Sequence, residues 1–386
     1  MAEAFKHLIG PAVVKQVAHH LHRVSPTFKA KRFEQLALDG LESLEFKARA
    51  QHLSLALQAT LPERFEEAAD ILQASLKAVP RPRFEHDPDD ELGALSTDDT
   101  GLGGWALWAF GDFVAQRGMA HPERALLALH AVTQRFTAEF AIRPFIVQHP
   151  ELVFRTLNGW VNDPSAHVRR LVSEGSRPRL PWGLRLQALV KDPSPTLPLL
   201  HALQDDPSEY VRRSVANHLN DIAKDHPELI STWLAEHLPE APLSRQRLLR
   251  HASRSLIKTG HPGVMQAWGL GQGLVGTARL SASPTSVRIG EKVMLHIELT
   301  AQAGHAPDQR LEVDYLVHHI KANGSTSPKA FKGKRVILPS HGSVSWDKAH
   351  SFVPVSTRRY FPGEHRIELQ VNGQVVAHTQ VVLTEA

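Results

Sequence analysis

The chain has 386 residues, enough for two domains with their own cores, and an ordinary composition of 42% hydrophobic and 22% charged residues. It contains no cysteine, which removes disulfides, thiolate metal sites and cysteine nucleophiles together and fits a reducing cytoplasm. The net charge of +4 is too small to announce a nucleic-acid partner by itself, so its distribution carries the information.

The first ten residues hold Lys6 and His7 in a short apolar pattern and lack the long apolar segment of a secretory leader. No run of about 18 apolar residues occurs, so no membrane span is expected. From Phe5 to about Trp268 the apolar residues recur at helical spacing. In Lys47–Leu57, for example, Ala50, Leu53, Ser54 and Leu57 fall at i, i+3, i+4 and i+7. Pro26, Pro122, Pro164, Pro207 and Pro227 mark first helical turns or the loops before them. Acidic residues gather between Pro62 and Thr100. The stretch from Pro80 to Gly104, rich in proline, aspartate and glycine, reads as a long surface loop or linker between helical subdomains.

A repeat follows. Asp163-Pro-Ser-Ala-His-Val-Arg-Arg-Leu-Val-Ser-Glu aligns with Asp206-Pro-Ser-Glu-Tyr-Val-Arg-Arg-Ser-Val-Ala-Asn, and a fainter copy spans Gln246 to Arg254. A period near 40 with this opening is the mark of stacked HEAT-like helix pairs. Asp163 and Asp206 stand where N-caps are expected. Val168, Leu171 and Val172, with Val211, Val215 and Leu219, would face neighbouring helices. Arg169, Arg170, Ser173 and Arg177, with Arg212, Arg213, Asn217 and Asn220, would lie off that face. Stacked, they would form a basic stripe extended by Arg250, Arg254 and Lys258. Such arginines are either solvated, some paired as Arg170 with Glu174, or they line a groove for a duplex backbone. Their repetition in register, with small or amide residues between them, favours the groove.

Gly269–Gly276 is a glycine-rich joint. From about Thr277 the period becomes two, as in Lys292–Leu299, Arg366–Val371 and Gln374–Val381, with turn signals at Ala322–Ser325, Phe361–Gly363 and Asn372–Gly373. This part carries 13 Lys/Arg against 9 Asp/Glu, the remainder being balanced. The organisation is therefore multidomain, α then β: a HEAT-like α-helical repeat solenoid over residues 1–270 and an immunoglobulin-like β-sandwich over 277–386. Lys321, the basic run Lys329–Arg335, and Arg358, Arg359 and Tyr360 form either an ordinary solvated hairpin region or a loop that touches a nucleic acid.

Five segments resemble AlkC-type DNA alkylation repair proteins: Gln134–Phe145, His167–Trp182, Glu209–Asp221, Leu256–Pro262 and Asp314–Pro328. The resemblance spans nearly the whole chain. It implies a HEAT-like repeat DNA glycosylase of base excision repair, working as a monomer in the cytoplasm at the nucleoid on double-stranded DNA. The lesions implied are cationic N3-alkylated bases such as 3-methyladenine and 3-methylcytosine, removed without flipping the base, with the β-domain embracing the duplex from the other side.

Alkylation at N3 makes the base a good cationic leaving group, so cleavage passes through an oxocarbenium-like sugar and needs little acid assistance. The protein can supply carboxylates near the developing charge, and one of these can orient water. No cofactor is required, and the 24 histidines show no metal spacing. Candidate acids are Glu139, Asp205, Glu174 and Glu123. Glu139 and Glu174 are also readable as intrahelical pairs with Arg135 or Arg143 and with Arg170. Glu123 stands in a first turn, where an acid suits the helix anyway. Candidate DNA-binding residues are Trp160, His167, Arg169, Arg170, Arg177, Trp182, Arg212, Arg213, Asn217, Arg250, Arg254 and Lys258. Either tryptophan could stack near a lesion or belong to the core. Trp105 and Trp108, with Asp112, match a W-x-x-x-D pairing but lie one helix early in the repeat. The competing reading is a non-catalytic HEAT scaffold for nucleic acid or protein. A strand-cleaving lyase would need an amine nucleophile, for which only Lys258 lies within the motifs.

Overall fold

The computed structural model describes residues 5–79, 95–304, 307–355 and 358–385. Its helices begin with α1 (Pro11–Val24), α2 (Ala30–Leu38), α3 (Phe46–Gln58), α4 (Phe65–Ala74), α5 (Leu107–Arg117) and α6 (Pro122–Thr133). They continue with α7 (Arg143–Gln148), α8 (Pro150–Trp160), α9 (Ala166–Gly175), α10 (Gln187–Lys191) and α11 (Leu197–Leu203). The last are α12 (Glu209–Ile222), α13 (Pro227–His237), α14 (Leu243–Ala252), α15 (Arg254–Lys258) and α16 (Pro262–Ala267). Ala50, Leu53, Ser54 and Leu57 of α3 are all buried, as their spacing predicts. Pro11, Pro122, Pro150, Pro227 and Pro262 open their helices, where a missing N–H removes no bond.

The two V-R-R helices, α9 and α12, pack side by side, and α14 lies against α12. Val168, Leu171, Val172, Val211, Val215 and Leu219 fill the space between these layers. The turns that open the repeats differ from expectation. The N-cap residues are Ser165 and Ser208, and neither caps through its side chain. Asp163 and Asp206 stand two residues earlier, each accepting the serine N–H at 2.8 Å. The proline between fixes the backbone so that the carboxylate closes an Asx turn ahead of the helix. The loop expected from Pro80 to Gly104 lies partly outside the described residues. Its final ten residues are pinned by a Leu76–Leu102 bridge and by Arg23, which donates to the carbonyls of Asp99 and Thr100.

The chain divides into two compact units. One is Met1–Asp225 with Pro242–Ala252; the other is His226–Ala241 with Ser253–Ala386. The second combines α13, α15 and α16 with the strands β1 (Gly276–Ser283), β2 (Ser286–Arg288), β3 (Lys292–Ala301), β4 (Gln309–Ile320), β5 (Thr326–Leu338), β6 (Ser343–Ser351), β7 (Gly363–Val371) and β8 (Gln374–Thr384). Three strands pair in the order β1-β3-β6 and five in the order β2-β8-β7-β4-β5. Burial alternates along β3 as its period requires. Val293 and Leu295 from one sheet meet Tyr315, Val317, Ile367 and Val381 from the other in a shared core. This is a β-sandwich. In the same unit Gly260, after α15, and Gly373, between β7 and β8, bring two backbones together. A Cβ on Gly260 would lie 2.7 Å from the Gly373 Cα, and both residues have φ in the left-handed region, so only glycine fits. Among the described residues no helix is long and apolar enough to cross a membrane.

Candidate active site

Residues 134–142 join α6 to α7 through turns, so Glu139 does not sit in a helix. Two aromatic rings anchor this segment. Phe136 meets Trp105 edge-on at 5.0 Å, and Phe140 stacks on Trp108 at 5.3 Å. Phe46 packs against both tryptophans. Held between them, Glu139 is 8% exposed. Its Oε2 accepts the Thr137 hydroxyl at 2.8 Å and faces the Arg170 guanidinium at 2.7 Å. Its Oε1 carries no hydrogen bond among the described residues. The intrahelical partners expected for it are engaged elsewhere. Arg135 donates to the carbonyls of Lys77 and Ala131, and Arg143 to those of Gly175 and Leu184.

From Glu139 a chain of alternating charges runs across three segments. Arg170 reaches Glu174 at 3.7 Å, Glu174 meets Arg177 at 2.6 Å, and Arg177 meets Asp221 at 2.8 Å. Lys224 closes the series on Asp221 at 2.9 Å. The Ser214 hydroxyl donates to Glu174 Oε2 at 2.6 Å, and Arg170 lies over the Tyr210 ring. Glu139 comes from the turn segment, Glu174 from α9 and Asp221 from α12. Three carboxylates are thus gathered in one place, each neutralised by a neighbouring cation.

Burial alone would raise the Glu174 carboxyl, but Arg170, Arg177 and the Ser214 hydrogen bond hold it below its usual value. Burial also works against the Arg170 charge. Glu139, Tyr210 and Glu174 outweigh it and hold the proton more tightly than usual. Burial pushes the Tyr210 phenol up to about 12. His218 is pushed down to about 3 by burial and by Arg177, so its ring is neutral, with Nδ1 at 2.9 Å from the Ser173 carbonyl.

The expected basic stripe is not what forms, because acids come to the same face and claim the arginines. Arg170 and Arg177 are nearly enclosed in the charge chain, and Ser173 is fully buried. Arg169 clasps Asp206 at 2.6 and 3.1 Å and also donates to the carbonyls of Asp163 and Pro164. Arg212 donates likewise to those of Asp206 and Pro207. Of these five arginines only Arg213 is well exposed, 3.5 Å from Glu209. Asn217 Oδ1 meets His251 Nε2 at 2.9 Å. Arg250 is half-buried on α14, whereas Arg254 and Lys258 lie on α15 in the other compact unit.

The remaining candidates are dispersed. Asp205 forms a two-point pair with Arg245, with its side chain 45% exposed, outside the charge chain. Glu123 is exposed in the first turn of α6. Trp160 is half-buried beside His130, and His167 is buried edge-on to Tyr210. Trp182 is 79% exposed, at a φ of 63° that side chains rarely adopt. Trp108 is core, and burial raises Asp112 beyond it to about 6. Asp221, Tyr210, Thr137 and Ser214 belong to the cluster but were not singled out in the sequence. Among the described residues no group of His, Asp and Glu is arranged to hold a metal.

Residues 276–385 match the family model described as the C-terminal Ig-like domain of uncharacterised protein YhaZ. The chain is 34% identical over 376 residues to uncharacterized protein YhaZ of Bacillus subtilis (strain 168), covering 96% of each. It is also similar to a solved structure, the Pseudomonas fluorescens alkylpurine DNA glycosylase AlkC bound to DNA containing an abasic site analog. The TM-score is 0.87 and the identity 31%, over 99% of this chain and 100% of that one.

Proposed function

We infer that this chain, which belongs to the AlkC family, is a monofunctional DNA glycosylase that releases cationic N3-alkylated bases from duplex DNA. The observation that carries the reading is the gathering of Glu139, Glu174 and Asp221 around Arg170 and Arg177. Stacked helices gain nothing from three nearly enclosed carboxylates, whose burial is costly even when paired. A site that must stabilise a positive sugar does gain from them.

Within the cluster Glu139 takes the leading part. Glu174 has both oxygens bonded, and so has Asp221, whereas Glu139 keeps Oε1 uncommitted. As the bond from C1′ to the base nitrogen breaks, its electron pair leaves with the base and neutralises the positive charge of the alkylated ring. Glu139 faces the oxocarbenium-like sugar and accepts a proton from the water that adds to C1′. Glu174 and Asp221 position the arginines. The guanidinium groups occupy the space between the carboxylates, which favours attack on a base still in the duplex. Trp182, exposed on a strained backbone, offers an aromatic face for DNA.

The test is release of 3-methyladenine and 3-methylcytosine from N-methylated duplex DNA. The wild type is expected to release base, and Glu139→Gln to be slower by about 100-fold or more with duplex binding retained. Asp205→Asn should leave the rate near wild type, and Trp182→Ala should weaken duplex binding without lowering the melting temperature. A wild type that binds DNA in a salt-dependent way yet releases no base would mean a scaffold instead of an enzyme.

A further inference from the structure

The β-domain carries a pocket of about 450 Å³ at the turn end of the β4–β5 hairpin. This volume lies within the range of about 300–1,000 Å³ usual for small-ligand sites. Lys321 and Lys329 reach it from the hairpin, Arg358 and Arg359 from the segment before β7. No carboxylate lines it, and none of these four cations forms an ion pair with an acid among the described residues. Arg358 instead packs over the rings of Phe331 and Tyr360, Lys329 over Phe331, and Arg359 over Phe361. Crowding has a cost here: burial, then Arg358 and Lys258, lower the affinity of Lys329 for its proton. Four cations without an acid are a surface that an anion would complete.

A second observation is independent of charge. His319, 6% exposed, lines the pocket. Arg358 donates to its Nε2 at 3.3 Å, so the neutral ring carries its proton on Nδ1, and that nitrogen is buried without a partner. A buried donor left unbonded is unfavourable, and a bound acceptor would satisfy it. We propose that this pocket binds a phosphate ester, with Arg358, Arg359, Lys329 and Lys321 matching its charge and His319 supplying a neutral donor. The apolar wall provided by Phe361 and Ile320 gives the organic part of the ester its place.

The phosphate can come from a free nucleotide, as a monoester, or from a nucleic-acid backbone, as a diester. Titration calorimetry on the full chain separates them with three probes: 5′-AMP, the dinucleotide TpT and adenosine. Saturable binding of AMP alone assigns the pocket to a monoester, and equal binding of TpT assigns it to a backbone diester. Adenosine is expected to give no saturable heat. Arg359→Gln, at an exposed position, should weaken the bound ester by about tenfold, and Lys329→Gln should do the same, both with unchanged melting temperature. Glu139→Gln should bind like the wild type, which keeps this result apart from the fate of the glycosylase reading. Absence of binding by both esters, binding of adenosine as tight as AMP, or indifference to both substitutions would overturn the proposal.

Discussion

Glu174 and Asp221 stand in the last turns of α9 and α12. Unbonded carbonyls make a helix C-terminus unfavourable for an anion, by ~0.3–1 kcal/mol. Arg177, which bonds to each of them, offsets that cost. Arg177→Met would leave two enclosed carboxylates sharing fewer cations, at a cost of about 3–5 kcal/mol. Urea unfolding should show that loss at pH 7, and a midpoint equal to the wild type would mean the bridge is energetically idle. The placement of the acids also explains what the sequence concealed. Glu139 and Glu174 are readable because they stand among arginines. Asp221 is not, because the residue 43 positions earlier is Pro178 and the repeat offers no counterpart. The available signal was electrostatic: an acid at the wrong end of a helix needs a partner from elsewhere.

Between elements, the Asx turns do more than start helices. Asp206 receives Arg169 from the preceding repeat, and Asp163 receives His130 Nε2 from α6 at 2.8 Å. Each repeat's opening turn is therefore fastened to the element before it by a cationic or imidazole side chain. Asp206→Ala removes the acceptor of both the Ser208 N–H and the Arg169 guanidinium. It should cost about 3 kcal/mol, clearly more than Asp205→Asn at the adjoining surface pair. Equal urea midpoints for the two variants would refute the fastening. The D-P-S and V-R-R pattern made the repeat legible, and the helix pairs followed from it. The jobs of its arginines were not legible. Arg169 and Arg170 are neighbours in sequence, yet one closes turns and the other holds acids, and only the spatial position of Asp206 and Glu139 separates them.

At the scale of the molecule, the change of period near residue 277 located the β-domain correctly, but not the histidines enclosed in it. His319 lies 6.2 Å from His350 and 5.7 Å from His365, ring to ring. Burial, reinforced by Arg358, pushes His319 down to about 3 and His350 to about 4, and burial lowers His365 as well. Unfolded histidine titrates near 6.5. Below that pH the unfolded chain binds protons that the folded one refuses, so stability falls with pH from about 6.5 towards 4 and is level above about 7.5. The slope approaches ~1.4 kcal/mol per pH unit for each histidine. Urea midpoints followed from pH 7.5 to 5 should decline, and His350→Phe should flatten the decline. A constant midpoint would count against neutral histidines in the fold. Loss of the Glu174 pairing belongs to lower pH, below the ordinary carboxylate value, so the two effects separate. The contact of Gly260 with Gly373 bears on something else. Local periodicity ends the helices at the glycine-rich joint, yet α13, α15 and α16 share a compact unit with the strands, and two bare backbones press together inside it. The sandwich has a helical root. Cutting the chain at the joint would sever that root, and a sandwich transplanted into another protein would have to bring it along.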